Sequence, residues 1–209
     1  MADLEALTGA IEVGDRVAAV KITRDAIEEG LDPQDVLAAM TKAMGAIGDR
    51  FQRNEIYVPE MLIAARAMKE ATAVLEPVLV AADIRPEHTA VLGTIKGDLH
   101  DIGKNLVGMM WKGANIEVID LGTNVSPERF AQAAKEHGAR LVGISALLTT
   151  TMVGMREAVS AIRATNGPDV KVIVGGAPVT PEFAREIGAD GYAADAGGAV
   201  GAAMAALQS

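Results

Sequence analysis

Two rhythms of apolar residues divide the sequence. Up to about residue 85, apolar positions recur at the mixed short intervals of helices with a buried face, among them Val17, Val20, Ile22 and Ile27. Asp32-Pro33 opens a second helix, with Asp as N-cap and Pro at the first helical position, and it continues through Val36, Leu37, Met40, Met44 and Ile47 to about Phe51. Pro59-Glu60 starts a third, through Met61, Leu62, Ala65, Met68 and Leu75, and residues 4–11 form a short helix of their own. Three or four short-looped helices predict a small antiparallel bundle.

After Pro86 short β-rich runs alternate with helical ones. Strands are predicted at 89–95, 116–120, 140–145, 171–174 and 191–193. Helices are predicted over 101–112, after Ser126-Pro127, over 152–164, from Pro181 and over 197–207. This five-fold βα alternation predicts an α/β fold with a Rossmann-like or flavodoxin-like, doubly wound five-stranded parallel sheet. The expected domains are a helical one over 1–85 and the sheet domain over 86–209, linked at 84–87 around Arg85-Pro86.

Composition narrows the chemistry. The formal net charge is −9, with a sequence pI near 4.8. Such a surface repels phosphate backbones, so nucleic acid is not an expected partner. With no cysteine, the sequence offers neither disulfides nor thiolate zinc or iron–sulfur sites. No run approaches the roughly 18 apolar residues of a membrane span, and the opening Met-Ala-Asp-Leu-Glu lacks a signal-peptide pattern. The expectation is a cytoplasmic protein with no membrane partner.

Open parallel sheets bind ligands outside the carboxyl ends of their strands, near the point where strand order reverses. Three predicted loops share that rim: Lys96-Gly97-Asp98-Leu99-His100-Asp101-Ile102-Gly103, the hydroxyl-rich stretch from Ser145 to Thr151, and Val174-Gly175-Gly176-Ala177-Pro178. In an extended loop Asp98 and His100 point the same way. An Asp beside a His accepts its ring N–H, fixes the tautomer and leaves the other nitrogen for a metal. Gly97 and Gly103 remove bulk where a large planar ligand would approach. A plain helix-capping loop, with Asp98 or Asp101 as N-cap and His100 in solvent, fits the same residues. His88 at the strand junction and His137 near a helix end read as surface or capping residues.

The spacing Asp98-x-His100-x-x-Gly103, then Ser145-x-Leu147 after forty-one residues and Gly175-Gly176 after twenty-seven more, resembles the cobalamin-binding module of the methionine synthase type. The segment Ile56 to Met61, with Ala64 to Met68, resembles the helical cap preceding that module. The resemblance implies a corrinoid (cobalamin-type) cofactor whose cobalt cycles between Co(I) and methyl-Co(III). It implies His100 as the metal ligand in place of the cofactor's own base, and Asp98 and Thr151 as a ligand relay. Thr151 stands where the family commonly carries serine. Gly97, Leu99 and Asp101 are implied at the corrin, with Ile102 and Gly103 also in the cofactor-binding set. Ser145, Leu147, Thr149, Gly175 and Gly176 are implied at the buried nucleotide tail, and Tyr192, Ala194, Asp195 and Ala196 near it. Tyr57, Met61, Ala64 and Met68 are the implied lid; ordinary bundle core explains that stripe equally well.

A cap plus corrinoid module of this size resembles the methyl-carrier proteins of methylamine, methanol and methoxyaromatic methyltransferase systems. The implied partners are a substrate-specific methyltransferase, a second methyltransferase acting on tetrahydrofolate or coenzyme M, and a reductive activase. Two alternatives use the same lower-face motif: the cobalamin subunit of an adenosylcobalamin-dependent mutase, and a cobalamin-based sensor. Mutase modules generally lack such a bundle, and a sensor needs a basic DNA-binding head where residues 1–50 are acidic. An acidic flavodoxin-like binding domain is what remains if the corrinoid reading fails.

Overall fold

The computed structural model describes residues 2–208, in two compact units. One reaches Pro86 and takes in Gly113–Asn115; the other comprises Glu87–Lys112 and the chain from Ile116 on.

The first unit holds α1 (Leu4–Glu12), α2 (Arg16–Glu28), α3 (Pro33–Gln52) and α4 (Val58–Ala81). A helix start leaves N–H groups without partners, and aspartates supply them: Asp3 accepts from Glu5 and Ala6, Asp15 from Ala18, and Asp32 from Gln34. Helix α4 starts one residue earlier than the sequence predicts. Tyr57 is its extended N-cap and donates its N–H to Glu60 Oε2 at 3.1 Å, so Pro59 falls within the first turn, where its missing N–H is not needed. Helix α2 packs on α4, α1 on α3, and α3 on α4. Leu7, Ile11, Met40, Met44, Ile47 and Leu75 are buried core residues.

The second unit alternates β1 (His88–Thr94), α5 (Ile102–Gly113), β2 (Ile116–Asp120), α6 (Pro127–Glu136), β3 (Leu141–Ser145), α7 (Met152–Asn166), β4 (Lys171–Gly175), α8 (Pro181–Glu186), β5 (Gly191–Ala193) and α9 (Ala196–Leu207). The strands form one parallel sheet in the order β2-β1-β3-β4-β5, so connections run opposite ways on the two sides of β1. Alternation along each strand sorts side chains to two faces. Leu92, Leu141 and Ile173 join Trp111 of α5 and Ala199 and Ala203 of α9. Val91, Val142 and Val172 join Phe130 of α6, Met155 of α7 and Ile187 beside α8. The result is three layers, with the carboxyl ends of β1 and β3 meeting at the reversal of strand order.

His88 differs from the expected surface residue: it is half-buried, and its Nδ1 is buried without a hydrogen-bond partner. His137 is the C-cap of α6. Among the described residues, no helix is long and apolar enough to cross a membrane.

Candidate functional site

The β1–α5 loop is held from three sides. The segment after β2 continues the sheet pairing past Thr94, through Thr94 N to Gly122 O and Val125 N to Thr94 O, both 2.9 Å, and an Ile95–Val125 bridge. This brings Asn124, in a left-handed conformation at φ 57°, against the loop: its Oδ1 accepts from Gly97 N (2.9 Å) and its N–H donates to Asp98 O (3.0 Å). From below, the buried Thr94 hydroxyl donates to His100 O at 2.9 Å.

Asp98 is fully buried, with both oxygens in use. Oδ1 accepts from His100 N (3.0 Å) and lies 2.7 Å from His100 Nδ1. Oδ2 faces Leu147 N (2.7 Å), Leu148 N (3.2 Å) and Thr151 Oγ1 (3.2 Å), while Leu148 O, 2.8 Å away, offers that hydroxyl an alternative acceptor. Burial disfavours the carboxylate, yet the backbone N–H groups of His100 and Leu147, the His100 ring and Leu148 N–H together hold Asp98 well below the usual carboxylate range. An ionised acceptor at Nδ1 places the proton of a neutral ring there, so Nε2 carries the free lone pair. The His100 side chain is itself 54% exposed, a ring anchored at one nitrogen and presented by the other.

Beneath this loop a cavity of about 500 Å³ opens between the sheet and helices α5 and α9. Leu99, His100, Asp101, Ile102 and Gly103 line it from the first loop, Ser145 and Leu147 from the second, Gly175 and Gly176 from the third, and Ala194, Asp195 and Ala196 from the fourth. At Gly176 (φ 122°) a Cβ would stand 1.9 Å from Ala146 O, so only glycine lets the two loops close over the strand ends. Lys104 of α5 also lines the cavity, but its buried ammonium is taken by both Asp120 oxygens (2.7 and 2.6 Å) and Asn105 Oδ1 (2.7 Å). Burial opposes ionisation of Asp120, and Lys104 with Gly122 N–H reverses that, lowering its pKa.

The B12 binding domain family matches residues 88–201, and a further family described as B12 binding domain matches residues 3–76. Over 205 residues the chain is 40% identical to a corrinoid protein of Desulfitobacterium hafniense, covering 96% of this chain and 95% of that protein. It is 37% identical over 214 residues to dimethylamine corrinoid protein 3 of Methanosarcina acetivorans, covering 99% and 100%. The chain belongs to the corrinoid proteins of methyltransferase systems. Solved structures agree. A cobalamin-binding protein from Desulfitobacterium hafniense superposes with a TM-score of 0.82 at 31% identity, covering 98% of each chain. The methanol:cobalamin methyltransferase complex MtaBC from Methanosarcina barkeri gives 0.84 at 28% identity, covering 98% of this chain and 80% of that one.

The cofactor is thus a corrinoid, and the residues present fit one. Gly103 lines the cavity, and a Cβ there would meet no protein atom within 4 Å, so the backbone at this point is open to a ligand. The cavity volume lies within the usual range of small-molecule sites.

Four residues of the second unit expected at the cofactor do not line the cavity, Asp98 because it is fully buried behind His100. Gly97 forms the left-handed turn (φ 85°) whose N–H goes to Asn124. Thr149 is exposed in the β3–α7 loop. Tyr192 packs against the opposite face of the sheet, because its neighbour Ala193 takes the cavity side and successive strand residues alternate. Of the four expected lid residues, all in the first unit, Met61, Ala64 and Met68 are buried and Tyr57 is 65% exposed. Tyr57 also precedes α4 rather than sharing its face. Asn124 and Lys104 escaped the sequence reading. The Asn124-Val125-Ser126-Pro127 stretch carries turn and capping signals, but nothing local ties it to Gly97.

Proposed function

We propose that this chain is a methyl carrier. It takes a methyl group from a substrate-specific methyltransferase whose donor is a methylamine, methanol or a methoxyaromatic compound. It presents that group to a second methyltransferase acting on tetrahydrofolate or coenzyme M, and a reductive activase restores the reduced metal. The observation that carries the proposal is the buried Asp98 carboxylate anchoring an exposed His100 imidazole at the mouth of the cavity. Relatives named as dimethylamine and trimethylamine corrinoid proteins, and the methanol complex, support the choice of donors.

When bound, the corrinoid supplies a cobalt centre that takes up a methyl group as a nucleophile and yields it to an acceptor. The chain's own residues set the conditions. His100 would hold the corrinoid through Nε2, and Asp98 keeps the proton on Nδ1. Leu147 N–H, Leu148 N–H and the Thr151 hydroxyl fix Asp98, so the ring is aimed by a carboxylate that is itself immobile. Leu99 and Ile102, both largely exposed, give the macrocycle an apolar seat. Ser145, Leu147, Gly175, Gly176 and Ala194 to Ala196, which line the cavity, would hold the nucleotide tail.

Electron paramagnetic resonance of the Co(II) form tests this, with nitrogen-15 in the cofactor's own base and nitrogen-14 in the protein. Axial nitrogen-14 splitting that disappears in His100→Ala is the expected result. Nitrogen-15 splitting in both proteins would mean that the cofactor keeps its base and that His100 is not the ligand. Methyl transfer to and from candidate methyltransferases then separates the donors.

A further inference from the structure

The cavity has a polar mouth and an apolar floor. Its polar side chains, His100, Asp101, Lys104, Ser145 and Asp195, stand on loops and helix starts at or beyond the strand ends, and the Lys104 ammonium is already spent on Asp120. The cavity also reaches Leu92, Gly143 and Ile173. These stand abreast on β1, β3 and β4, each two residues before its strand's end and so about 7 Å down the sheet. Over this row lies Trp111: a Cβ on Gly143 would be 2.6 Å from the indole Cη2. The indole N–H, its one donor, is given to Ala199 O at 3.0 Å. The backbone groups of the row belong to the parallel ladder of an interior stretch of sheet. A group reaching this floor therefore meets hydrocarbon and indole carbon, with the indole's one donor already given.

We infer that this floor, Trp111 over Leu92, Gly143 and Ile173, selects among corrinoids for a nucleotide tail ending in a hydrocarbon-edged aromatic base, such as a methylated benzimidazole, over an amino-purine. The inference rests on the proposal that the tail enters this cavity. A methylated edge buries its carbon against Leu92, Ile173 and the indole. An adenine would bring an amino group and ring nitrogens to a place where none finds a partner, and unpaired buried polar groups weaken binding by roughly 10- to 100-fold.

The test compares three corrinoids on the cofactor-free full-length protein: cobalamin, its analogue with adenine in place of dimethylbenzimidazole, and cobinamide, which lacks the nucleotide. Equilibrium dissociation constants are corrected for each corrinoid's own base-off equilibrium, since adenine leaves cobalt more readily. The expected order is cobalamin tightest, the adenine analogue about 10- to 100-fold weaker, and cobinamide weaker than cobalamin. In Ile173→Thr, which puts a hydroxyl on the floor, the gap between the first two should narrow. Equal binding of cobalamin and the adenine analogue, with cobinamide weaker, overturns the selection but keeps the cavity as the tail site. Equal binding of all three removes the tail from the cavity, and the selection falls with it.

Discussion

Replacing Asp98 with Asn keeps its shape and inverts its hydrogen bonding. The carboxylate faces five groups: His100 N and Nδ1 at one oxygen, and Leu147 N, Leu148 N and Thr151 Oγ1 at the other. An amide has one acceptor end. With its oxygen toward Leu147 and Leu148, its NH₂ meets His100 N–H and the ring; the ring then accepts at Nδ1, and its proton moves to Nε2, where it blocks the metal. With the amide reversed, two buried backbone N–H groups lose their acceptor, at about 1–3 kcal/mol each. The first arrangement leaves only one backbone N–H unpaired and should prevail. Asp98→Asn is therefore expected to lose about 1–3 kcal/mol of stability and to shift the His100 ligation equilibrium by roughly 10- to 100-fold, with a smaller effect on cofactor retention. Urea unfolding of the cofactor-free protein, long-range proton–nitrogen NMR of the His100 ring and the Co(II) axial splitting measure the three quantities. The sign of the pH dependence follows from the lowered carboxyl pKa. The folded value lies below the ordinary 3.8, so the stability gained is complete above about pH 4 and is lost as the pH falls through the folded value. The share of the gap between wild type and Asp98→Asn that comes from the carboxyl should shrink as the pH falls below about 4. A ring still protonated at Nδ1, with unchanged axial splitting, would refute the argument.

Three further substitutions probe the surroundings. Asn124→Ala removes the acceptor of Gly97 N–H and puts alanine at φ 57°, so it should cost about 2 kcal/mol in urea unfolding; Asn124→Gly should recover the backbone share only. Gly103→Ala adds a methyl group where the protein has nothing within 4 Å, so thermal stability should hold or rise while corrinoid affinity falls; unchanged affinity would mean that the ligand does not reach Gly103. Asp120→Ala strands the buried Lys104 ammonium and should cost about 1–3 kcal/mol, less than a fully buried pair because Asp120 is 42% exposed. Lys104→Met, which removes the stranded charge, should restore much of that loss in the double variant.

Fold and cofactor were legible because both are written in local signals. Strand and helix periods, Pro after a capping residue, and glycines at fixed distances from Asp98-x-His100 survive in one dimension. What was not legible depends on approach in three. Asn124 acts on Gly97 from 27 residues away, and the expectation for Asp98, contact with His100 and the Thr151 hydroxyl, missed the two backbone donors that Leu147 and Leu148 bring from the next loop. Which face Tyr192 takes was not legible because its strand has only three residues, too few to show the parity that faces the cavity. Tyr57 was assigned to a helix face one residue before that helix begins.

The pinned loop has a consequence for timing. Gly97, Asp98 and His100 each have a main-chain hydrogen bond to a neighbouring segment or side chain, and the imidazole, bonded to Asp98 at Nδ1, is otherwise open. For His100 to meet or leave a metal, its two side-chain torsions would turn and the Nδ1 bond to Asp98 would give way, while the chain beneath stays where it is. Exposed side chains turn within picoseconds to nanoseconds, whereas loops take nanoseconds to microseconds. Motion of the ring should therefore be limited by its bond to Asp98 rather than by rearrangement of the loop.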